Sequence, residues 1–423
     1  MIINPQVSLH RLVLSMSEAL DHVSPWVADH QLRVAYISTR IARLMGFQGQ
    51  QLRDIFHAAA LHDIGLIRAA NRVQAVAQNR LEGIEWHGEV GYELLKDNEL
   101  TSEAAPIVRH HHAIWRDRLP AKWPNDPIPV ACYIVALADD VDRLIKRNQP
   151  VLYQTKAIRE HILKGKGEVF CPDCVEAFME ASRAPAFWLD ATSKRIYTIL
   201  NREVDWPIWI LDERTVEGIS RMFARLVDSL SPWTATHSAG VSATAVALAE
   251  KLNFSPREQA LMRAAGYLHD LGKITVPSEI LDSPAKPTEE ERAILQGHTY
   301  HTFRILDSIG GLPQISEWAA FHHERLDGKG YPFGHGAKDL TLGSRIMAVA
   351  DTFTALSEDR PYRKGMNDEE VLRKMARMTA DGAFDSQVIS VLGENLGVIQ
   401  GIRQQSQADY AIRQRVLAQK MAA

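Results

Sequence analysis

Apolar side chains recur at helical spacing through much of the chain. From Val216 to Leu230 they fall at every third or fourth residue, which predicts an amphipathic helix. Ala239–Leu252 and Glu258–Leu268 follow the same pattern, and three prolines then separate them from a further helix at Glu289–Leu306. The alternating pattern typical of strands is sparse. The sequence therefore predicts an all-α fold.

The chain also repeats itself in one fixed order of polar residues. Ser24-Pro25-Trp26 with His30 recurs as Ser231-Pro232-Trp233 with His237, 207 residues later. The remaining pairs follow at nearly the same offset: His62-Asp63 with His269-Asp270, His87 with His298, His111-His112 with His322-His323, and Asp139 with Asp351. Small drift in the offset is typical of loop insertions between diverged copies. We therefore predict two tandem helical domains, residues 1–200 and 201–423, that arose by internal duplication.

Composition narrows the classes of function. The chain has 423 residues, enough for two cores, and its net charge of −4 argues against a binding face for duplex nucleic acid. No apolar run approaches the roughly 20 residues of a membrane span, and the first residues do not resemble a secretory signal. Three cysteines are too few for a disulfide framework. We expect a cytoplasmic protein without membrane insertion.

The second copy concentrates metal-ligating side chains. Imidazole nitrogens and carboxylate oxygens together suit ions such as iron, manganese, zinc and nickel. Five imidazoles and two carboxylates exceed the needs of one ion, and an adjacent His-Asp pair can direct a shared carboxylate between two. The predicted ligands are His237, His269, Asp270, His298, His322, His323 and Asp351.

Longer runs of residues carry a family resemblance. They read YLHDLGKITVPSEIL, then GH at His298, FHHERLDGKGYP and RIMAVADTFTALSEDRPYR, and they span Pro232–Gly365. This sequence resembles the HD-GYP family, the cyclic di-GMP phosphodiesterase branch of the HD hydrolases. The resemblance implies HD-type helical domains and hydrolysis of a cyclic dinucleotide.

The resemblance also implies a two-metal site, with iron or manganese expected and nickel, cobalt or zinc as further options. Some family members bind a third ion through a Glu four residues before the first histidine, where this chain has Trp233. We therefore expect two ions. By position, His237, His269, Asp270 and Asp351 would bind one, and Asp270, His298, His322 and His323 the other.

Further roles follow from the matching positions. Asp270 and Lys273 are the expected catalytic residues, because Lys273 would place positive charge beside the reacting phosphate. One departure is Thr354, where the family usually has a second aspartate, and it leaves substrate choice open. The expected substrate-binding residues are Asp327, Gly330, Tyr331, Pro332, Arg360 and Arg363.

The first copy is expected to be degenerate. Leu66 stands in place of the lysine, and WRDRLPAKWPNDPIP stands where DGKGYP should be. We predict a regulatory or dimerising domain, while a second activity and an inert scaffold stay open. It nevertheless keeps every ligand position, as a possible second metal site: His30, His62, Asp63, His87, His111, His112 and Asp139.

Two other segments are interpreted without chemistry. Cys171 and Cys174 form a single CxxC, which cannot supply four zinc ligands, so we expect an ordinary helix start and core position. The last helix, Ala411–Ala423, lacks an apolar stripe and is expected at the surface or in an oligomer contact.

The resulting functional hypothesis is hydrolysis of cyclic di-GMP to pGpG and on to GMP. The rival substrate is 3′,3′-cyclic GMP-AMP, and Thr354 keeps it open. A rival from another class is a non-catalytic receptor for the dinucleotide, and a third is an HD nucleotidase acting on dNTP or (p)ppGpp. A homodimer and signalling protein partners are compatible with each hypothesis.

Overall fold

The structure is a computed structural model. None of the helices in the described part of the chain has both the length and the apolar character needed to cross a bilayer. The structure describes residues 6–7, 11, 13–15, 17, 29–66, 86–117, 129–204, 209–210, 213–231, 235–283, 285–359 and 364–422.

The chain divides into two compact units. The first comprises Ser8–Ile208 and Lys420–Ala423, and the second comprises Met1–Val7 and Trp209–Gln419. Short 3₁₀ turns at Trp115–Asp117 and Val151–Tyr153 interrupt the helices of the first unit. These helices are α1 (His30–Leu44), α2 (Gly49–Ala60), α3 (Trp86–Leu95), α4 (Ala105–Arg109), α5 (Val130–Leu144), α6 (Thr155–Lys164), α7 (Pro172–Ala181), α8 (Pro185–Ala191) and α9 (Ile196–Glu203).

The second unit repeats this plan and adds a longer final helix. A 3₁₀ turn at Leu271–Thr275 follows the helix that spans Pro256–Leu268. The helices are α10 (Glu213–Asp228), α11 (His237–Lys251), α12 (Pro256–Leu268), α13 (Ser278–Leu281), α14 (Glu289–Ile309), α15 (Pro313–Ala320), α16 (Leu342–Ser357), α17 (Asp368–Ala380), α18 (Ser386–Glu394) and α19 (Leu396–Ala422).

Corresponding helices begin at corresponding residues. Helices α1 and α11 both open on the first predicted histidine ligand, and α2 begins 207 residues before α12. The sequence offset between the copies is therefore also an offset between helix starts. Apart from one pair of two-residue antiparallel strands, β1 (Gln6–Val7) and β2 (Trp209–Ile210), the described elements are helical. The all-α prediction is confirmed.

Local sequence signals explain where several helices begin. Ser255 before α12 and Thr288 before α14 each form a capping box with a glutamate three residues later, which satisfies backbone N–H groups at the helix start. Asp385 caps α18 in the same way, through hydrogen bonds from two backbone amides. Cys171 occupies the equivalent capping position before α7, as predicted, although its side chain makes no capping hydrogen bond.

Two glycines allow the helices around each site to approach closely. A Cβ atom on Gly272 would lie only 1.9 Å from the carbonyl oxygen of His298, and one on Gly65 would meet the carbonyl of His87 at the same distance. No side chain fits at either position. The backbone after each His-Asp pair is therefore packed directly against the helix that carries the next histidine.

The final helix differs from its prediction. It begins at Leu396, well before Ala411, and two of its later side chains, Gln414 and Leu417, are buried. Gln414 donates a hydrogen bond to the carbonyl oxygen of Arg225 on α10. The expectation of a surface helix is wrong for these residues. The buried positions Tyr410, Gln414 and Leu417 share one helix face, but the polar Gln414 interrupts the apolar pattern there.

Candidate metal centres

The fold brings all seven predicted ligands of the second copy into one buried cluster. Helix ends supply most of them: His237 opens α11, His269 ends α12, and His322 and His323 follow α15. Asp270 starts the 3₁₀ turn. His298 and Asp351 project from within α14 and α16. Residues up to 114 positions apart in sequence thus become neighbours.

Asp270 lies between two groups of ligands. Its Oδ2 atom is 3.2 Å from His269 Nε2 and 4.0 Å from His237 Nε2. Its Oδ1 atom is 3.3 Å from His298 Nε2 and 4.0 Å from His322 Nε2. One carboxylate therefore turns an oxygen toward each group, which is the arrangement of a bridging ligand.

Asp351 completes the cluster on its other side. Its Oδ1 atom lies 3.2 Å from His237 Nε2 and 3.8 Å from His269 Nε2, while its Oδ2 atom is 3.7 Å from His323 Nδ1. His323 is the most accessible of these ligands, with 32% of its side chain exposed. The cluster is therefore closed except at the edge of His323.

The hydrogen bonds of the imidazoles indicate that these residues fit metal ions. Nδ1 of His269 lies 2.8 Å from the carbonyl oxygen of Gly266, and Nδ1 of His322 lies 2.7 Å from that of Ala319. A carbonyl oxygen only accepts, so Nδ1 carries the hydrogen and Nε2 directs a lone pair into the cluster. His269 Nε2 has no hydrogen-bond partner there. Metal-binding histidines are commonly oriented in this way.

Electrostatics keep these ligands in their metal-binding protonation states. Burial, together with the neighbouring His323 and His269, lowers the pKa of His322 well below its usual value. Burial alone would raise the pKa of Asp270, but the charges of His269 and Lys273 lower it well below the ordinary range. Neutral imidazoles and ionised carboxylates are the forms that bind divalent cations.

Two further charged groups contact the ligands directly. Lys273 Nζ lies 2.5 Å from Asp270 Oδ2, so the predicted catalytic lysine is in the cluster. Glu358, which the sequence analysis did not single out, places Oε2 2.9 Å from His237 Nδ1. Thr354, which stands where the family usually has an aspartate, is fully buried. Its Cγ2 atom would lie 3.0 Å from a Cβ atom placed on Gly240. Thr354 is therefore not an exposed substrate contact.

The glycine-rich loop adjoins the accessible edge of the cluster. The Tyr331 ring lies 4.9 Å from the His323 ring, and burial raises the pKa of Tyr331. The buried carboxylate of Glu324 accepts hydrogen bonds from three backbone amides of the loop, at residues 333, 334 and 335. Gly330 is packed so closely that a Cβ would lie 2.4 Å from Glu324 Cα. Pro332 follows Tyr331 through a cis peptide bond.

The other predicted substrate contacts are placed differently. The Asp327 carboxylate accepts hydrogen bonds from the Arg325 side chain and from the Lys329 amide, so it is committed within the loop. The hydrogen bond from Arg325 lowers the pKa of Asp327 to about 2. Arg360, Arg363 and Trp233 lie outside the described residues.

The first copy assembles its seven ligands in the same way. Asp63 places Oδ2 3.4 Å from His62 Nε2 and Oδ1 3.3 Å from His87 Nε2. His111 Nε2 and His112 Nε2 lie 3.0 Å and 3.1 Å from His87 Nε2. His62 and His111 again direct Nδ1 at backbone carbonyl oxygens, and burial lowers the pKa of both imidazoles. This cluster therefore also fits a cation.

Charged residues distinguish the first cluster from the second. Asp142 Oδ2 lies 2.7 Å from His30 Nδ1, and Arg33 binds the same carboxylate. Arg143 Nη2 lies 2.7 Å from Asp139 Oδ2. Leu66, at the position that corresponds to Lys273, is buried. Asp142 and Arg143 were both visible as charges on the helix of Asp139, but the sequence did not indicate which side of that helix faces the cluster.

Comparison with known proteins identifies the family. The HD-domain family profile matches residues 27–144, and a second HD-domain profile matches residues 221–388. The chain belongs to the HD-domain family. It contains two HD domains in tandem, and the resemblance of its second HD domain to the HD-GYP type is confirmed.

Individual relatives cover different extents of this HD-domain protein. It is 29% identical over 397 residues to the 3′3′-cGAMP-specific phosphodiesterase 1 of Vibrio cholerae, and the match covers 92% of each chain. It is 38% identical over 170 residues to the cyclic di-GMP phosphodiesterase PA4108 of Pseudomonas aeruginosa, 39% of this chain and 40% of that relative.

A solved structure supports the fold over nearly the whole length. The crystal structure of a cyclic GMP-AMP-specific phosphodiesterase of V. cholerae, V-cGAP3, matches with a TM-score of 0.62 at 22% identity, covering 93% of this chain and 98% of that one. At this level of identity the match concerns the fold. The tandem HD architecture is therefore confirmed.

Proposed function

We propose that the second HD domain hydrolyses a phosphodiester bond of a 3′,3′-linked cyclic dinucleotide with the help of two divalent cations. The observation that carries the proposal is the placement of Asp270, whose two oxygens face separate groups of buried imidazoles. One cation is assigned to His237, His269, Asp270 and Asp351, and the other to Asp270, His298, His322 and His323. Iron and manganese are the preferred ions, and nickel, cobalt and zinc are alternatives.

The cations and the chain have separate tasks. When bound, two such cations neutralise phosphate charge and make a water nucleophilic near neutral pH. The Lys273 ammonium, held at Asp270, adds positive charge on the side where the phosphate becomes more negative. Hydrolysis forms a bond between the water oxygen and phosphorus. The bond between phosphorus and a ribose oxygen breaks, and that ribose oxygen takes up a proton.

The accessible edge of the cluster is proposed as the entrance for substrate. His323 is partly exposed there, and Tyr331 lies against it with an aromatic face suited to a nucleobase. Gly330 keeps the loop backbone close to this edge. Arg360 and Arg363 remain proposed contacts, because arginine binds phosphate and guanine through paired hydrogen bonds. Asp327 is proposed to act through the shape of the loop.

For the substrate itself, 3′,3′-cyclic GMP-AMP is the preferred candidate. Two relatives from V. cholerae that match along 92% of this chain are named as phosphodiesterases specific for it. Cyclic di-GMP, expected from the sequence alone, is the second candidate, supported by the 38% identity to the shorter matching region of the Pseudomonas enzyme. The products would be the linear dinucleotide and then mononucleotides.

The first HD domain is proposed to be regulatory or to mediate dimer contacts without turnover. Its ligands are present, but Leu66 replaces the lysine that contacts Asp270 in the second domain. Arg143 also occupies the carboxylate that corresponds to Asp351. Both differences remove features that the proposed reaction requires.

The test compares both dinucleotides with the purified full chain, loaded anaerobically with Fe(II) or with Mn(II). We expect metal-dependent product formation, with the higher kcat/KM for 3′,3′-cyclic GMP-AMP. The matched variants His237→Ala and His30→Ala change corresponding ligands, and only the first should abolish turnover. Absence of product with either ion would favour the receptor hypothesis. Loss of turnover in a folded His30→Ala variant would contradict the role proposed for the first domain.

A further inference from the structure

Arg143 is a buried cation inside the ligand cluster of the first domain. Its Nη2 atom lies 2.7 Å from Asp139 Oδ2, and the two side chains are 3% and 2% exposed. It also interacts electrostatically with Asp63 and His112. Its positive charge therefore interacts with Asp139 and with the cluster of Asp63 and His112.

The second domain has no such group at the corresponding position. Helices α5 and α16 correspond residue by residue from their starts, and this alignment places Ala355 opposite Arg143. The Asp351 oxygen that corresponds to the occupied one lies 3.7 Å from His323, at the accessible edge. A guanidinium in the first domain thus stands where the second domain has a methyl group and an open approach.

The charges in direct contact with the ligands differ accordingly. Among the described residues of the second domain, the carboxylates of Asp270, Asp351 and Glu358 are opposed by the ammonium of Lys273. In the first domain three carboxylates are opposed by two guanidinium groups, because Arg33 binds Asp142 and Arg143 binds Asp139. Counted over these described groups, the first cluster has one fewer negative charge available to balance bound cations.

One part of the first cluster is still arranged to bind an ion. Nε2 of His87 faces Nε2 of both His111 and His112, and Asp63 Oδ1 is 3.3 Å away. His111 directs Nδ1 to the Val108 carbonyl, so its Nε2 has no hydrogen to give. Asp63 Oδ1 is buried without a hydrogen-bond partner among the described residues. Three imidazole nitrogens and one carboxylate oxygen that converge in this way in a buried cluster fit a cation between them.

We propose that the first domain binds a single divalent cation through His87, His111, His112 and Asp63, and that the Arg143 guanidinium takes the place of a second ion at Asp139. The bound ion is structural, because Arg143 occupies the side of the cluster through which a phosphate would approach. This inference goes beyond the proposed function and does not depend on the substrate of the second domain.

The test is the metal content of the purified full chain, measured by inductively coupled plasma mass spectrometry after loading with Mn(II) and removal of free ion. With the second site disabled by His269→Ala and His322→Ala, we expect about one ion per chain. Adding Arg143→Ala should raise the content to about two. The control Arg116→Ala removes a side chain of the same domain that is 62% exposed, and it should leave the metal content unchanged.

A second measurement keeps the inference testable if that double variant does not fold. The otherwise unmodified chain should bind about three ions, and His111→Ala alone should reduce this to about two. Three results would overturn the proposal. In the first, the folded double variant retains no ion. In the second, it retains two ions while Arg143 is present. In the third, Arg143→Ala adds no ion to a folded chain.

Discussion

Glu358 offers a direct way to perturb His237, a proposed metal ligand, without removing it. Its carboxylate lies 2.9 Å from His237 Nδ1, is 12% exposed, and also accepts a hydrogen bond from Gln407. In the first domain Asp142 makes the equivalent contact with His30, at 2.7 Å. Asp142 corresponds to Thr354, so the carboxylate in the second domain comes from one helical turn further along.

The expected magnitude follows from the role of this contact. Removing the partner of a metal-binding histidine typically lowers metal affinity or activity 10- to 100-fold, or about 1.4–2.8 kcal/mol. Glu358→Gln keeps an acceptor oxygen but loses the charge, so we expect metal affinity to fall about 10-fold. Glu358→Ala loses both, so we expect metal affinity to fall about 100-fold. Adding Thr354→Asp to Glu358→Ala should restore most of the lost affinity, because Asp142 reaches His30 from the corresponding position.

The assay is Mn(II) titration at fixed pH, with turnover of the dinucleotide measured on the same samples. Glu290→Gln, an exposed position on α14, is the control for loss of one carboxylate. The rescue by Thr354→Asp distinguishes orientation of His237 from a general effect on folding. Unchanged metal affinity and turnover in a folded Glu358→Ala variant would refute the reasoning.

Three other predictions follow from the second domain. Lys273→Met should lower kcat by about 100- to 1,000-fold while metal content stays the same, and an unchanged kcat would remove the lysine from the mechanism. Gly272→Ala should destabilise the domain by more than about 2 kcal/mol, because its Cβ would lie 1.9 Å from the His298 carbonyl oxygen. The control Gly297→Ala has no contact nearer than 3.9 Å and should be neutral or stabilising, as thermal unfolding of both variants would reveal. Burial lowers the pKa of His323 to about 4, so in metal-stripped protein the unfolded chain takes up a proton below pH 6.5 while the folded chain does not. Stability should therefore fall by about 1.4 kcal/mol from this residue between pH 7.5 and 5.5, and urea unfolding of the parent and of His323→Gln should differ by that amount.

Much of the fold could be predicted because its signals are local or repeated. The helical spacing of apolar residues in α10 and the order of histidines and aspartates are both visible without a structure. Prediction of the helix starts was less accurate: α10 begins at Glu213 and α11 at His237, a few residues earlier than expected. Polar first turns explain this difference, because apolar periodicity marks only the buried part of a helix.

The site could be predicted only in part. Ligand candidates such as His269 and Asp270 are recognisable because the same order of histidines and aspartates recurs in both copies. The partners of these ligands are not, since Glu358 and Arg143 are ordinary charged residues until the helix faces are known. Glu324 was likewise missed, because its partners are backbone amides, which leave no signal in side-chain identity.

The central claim is that Asp270 is shared by two cations in the second domain, and anomalous diffraction at the manganese edge from crystals of the Mn(II)-loaded chain tests it directly. The account predicts two peaks about 3.5–4 Å apart, each within bonding distance of a different Asp270 oxygen. Density for one ion only, or for ions bound away from Asp270, would contradict it.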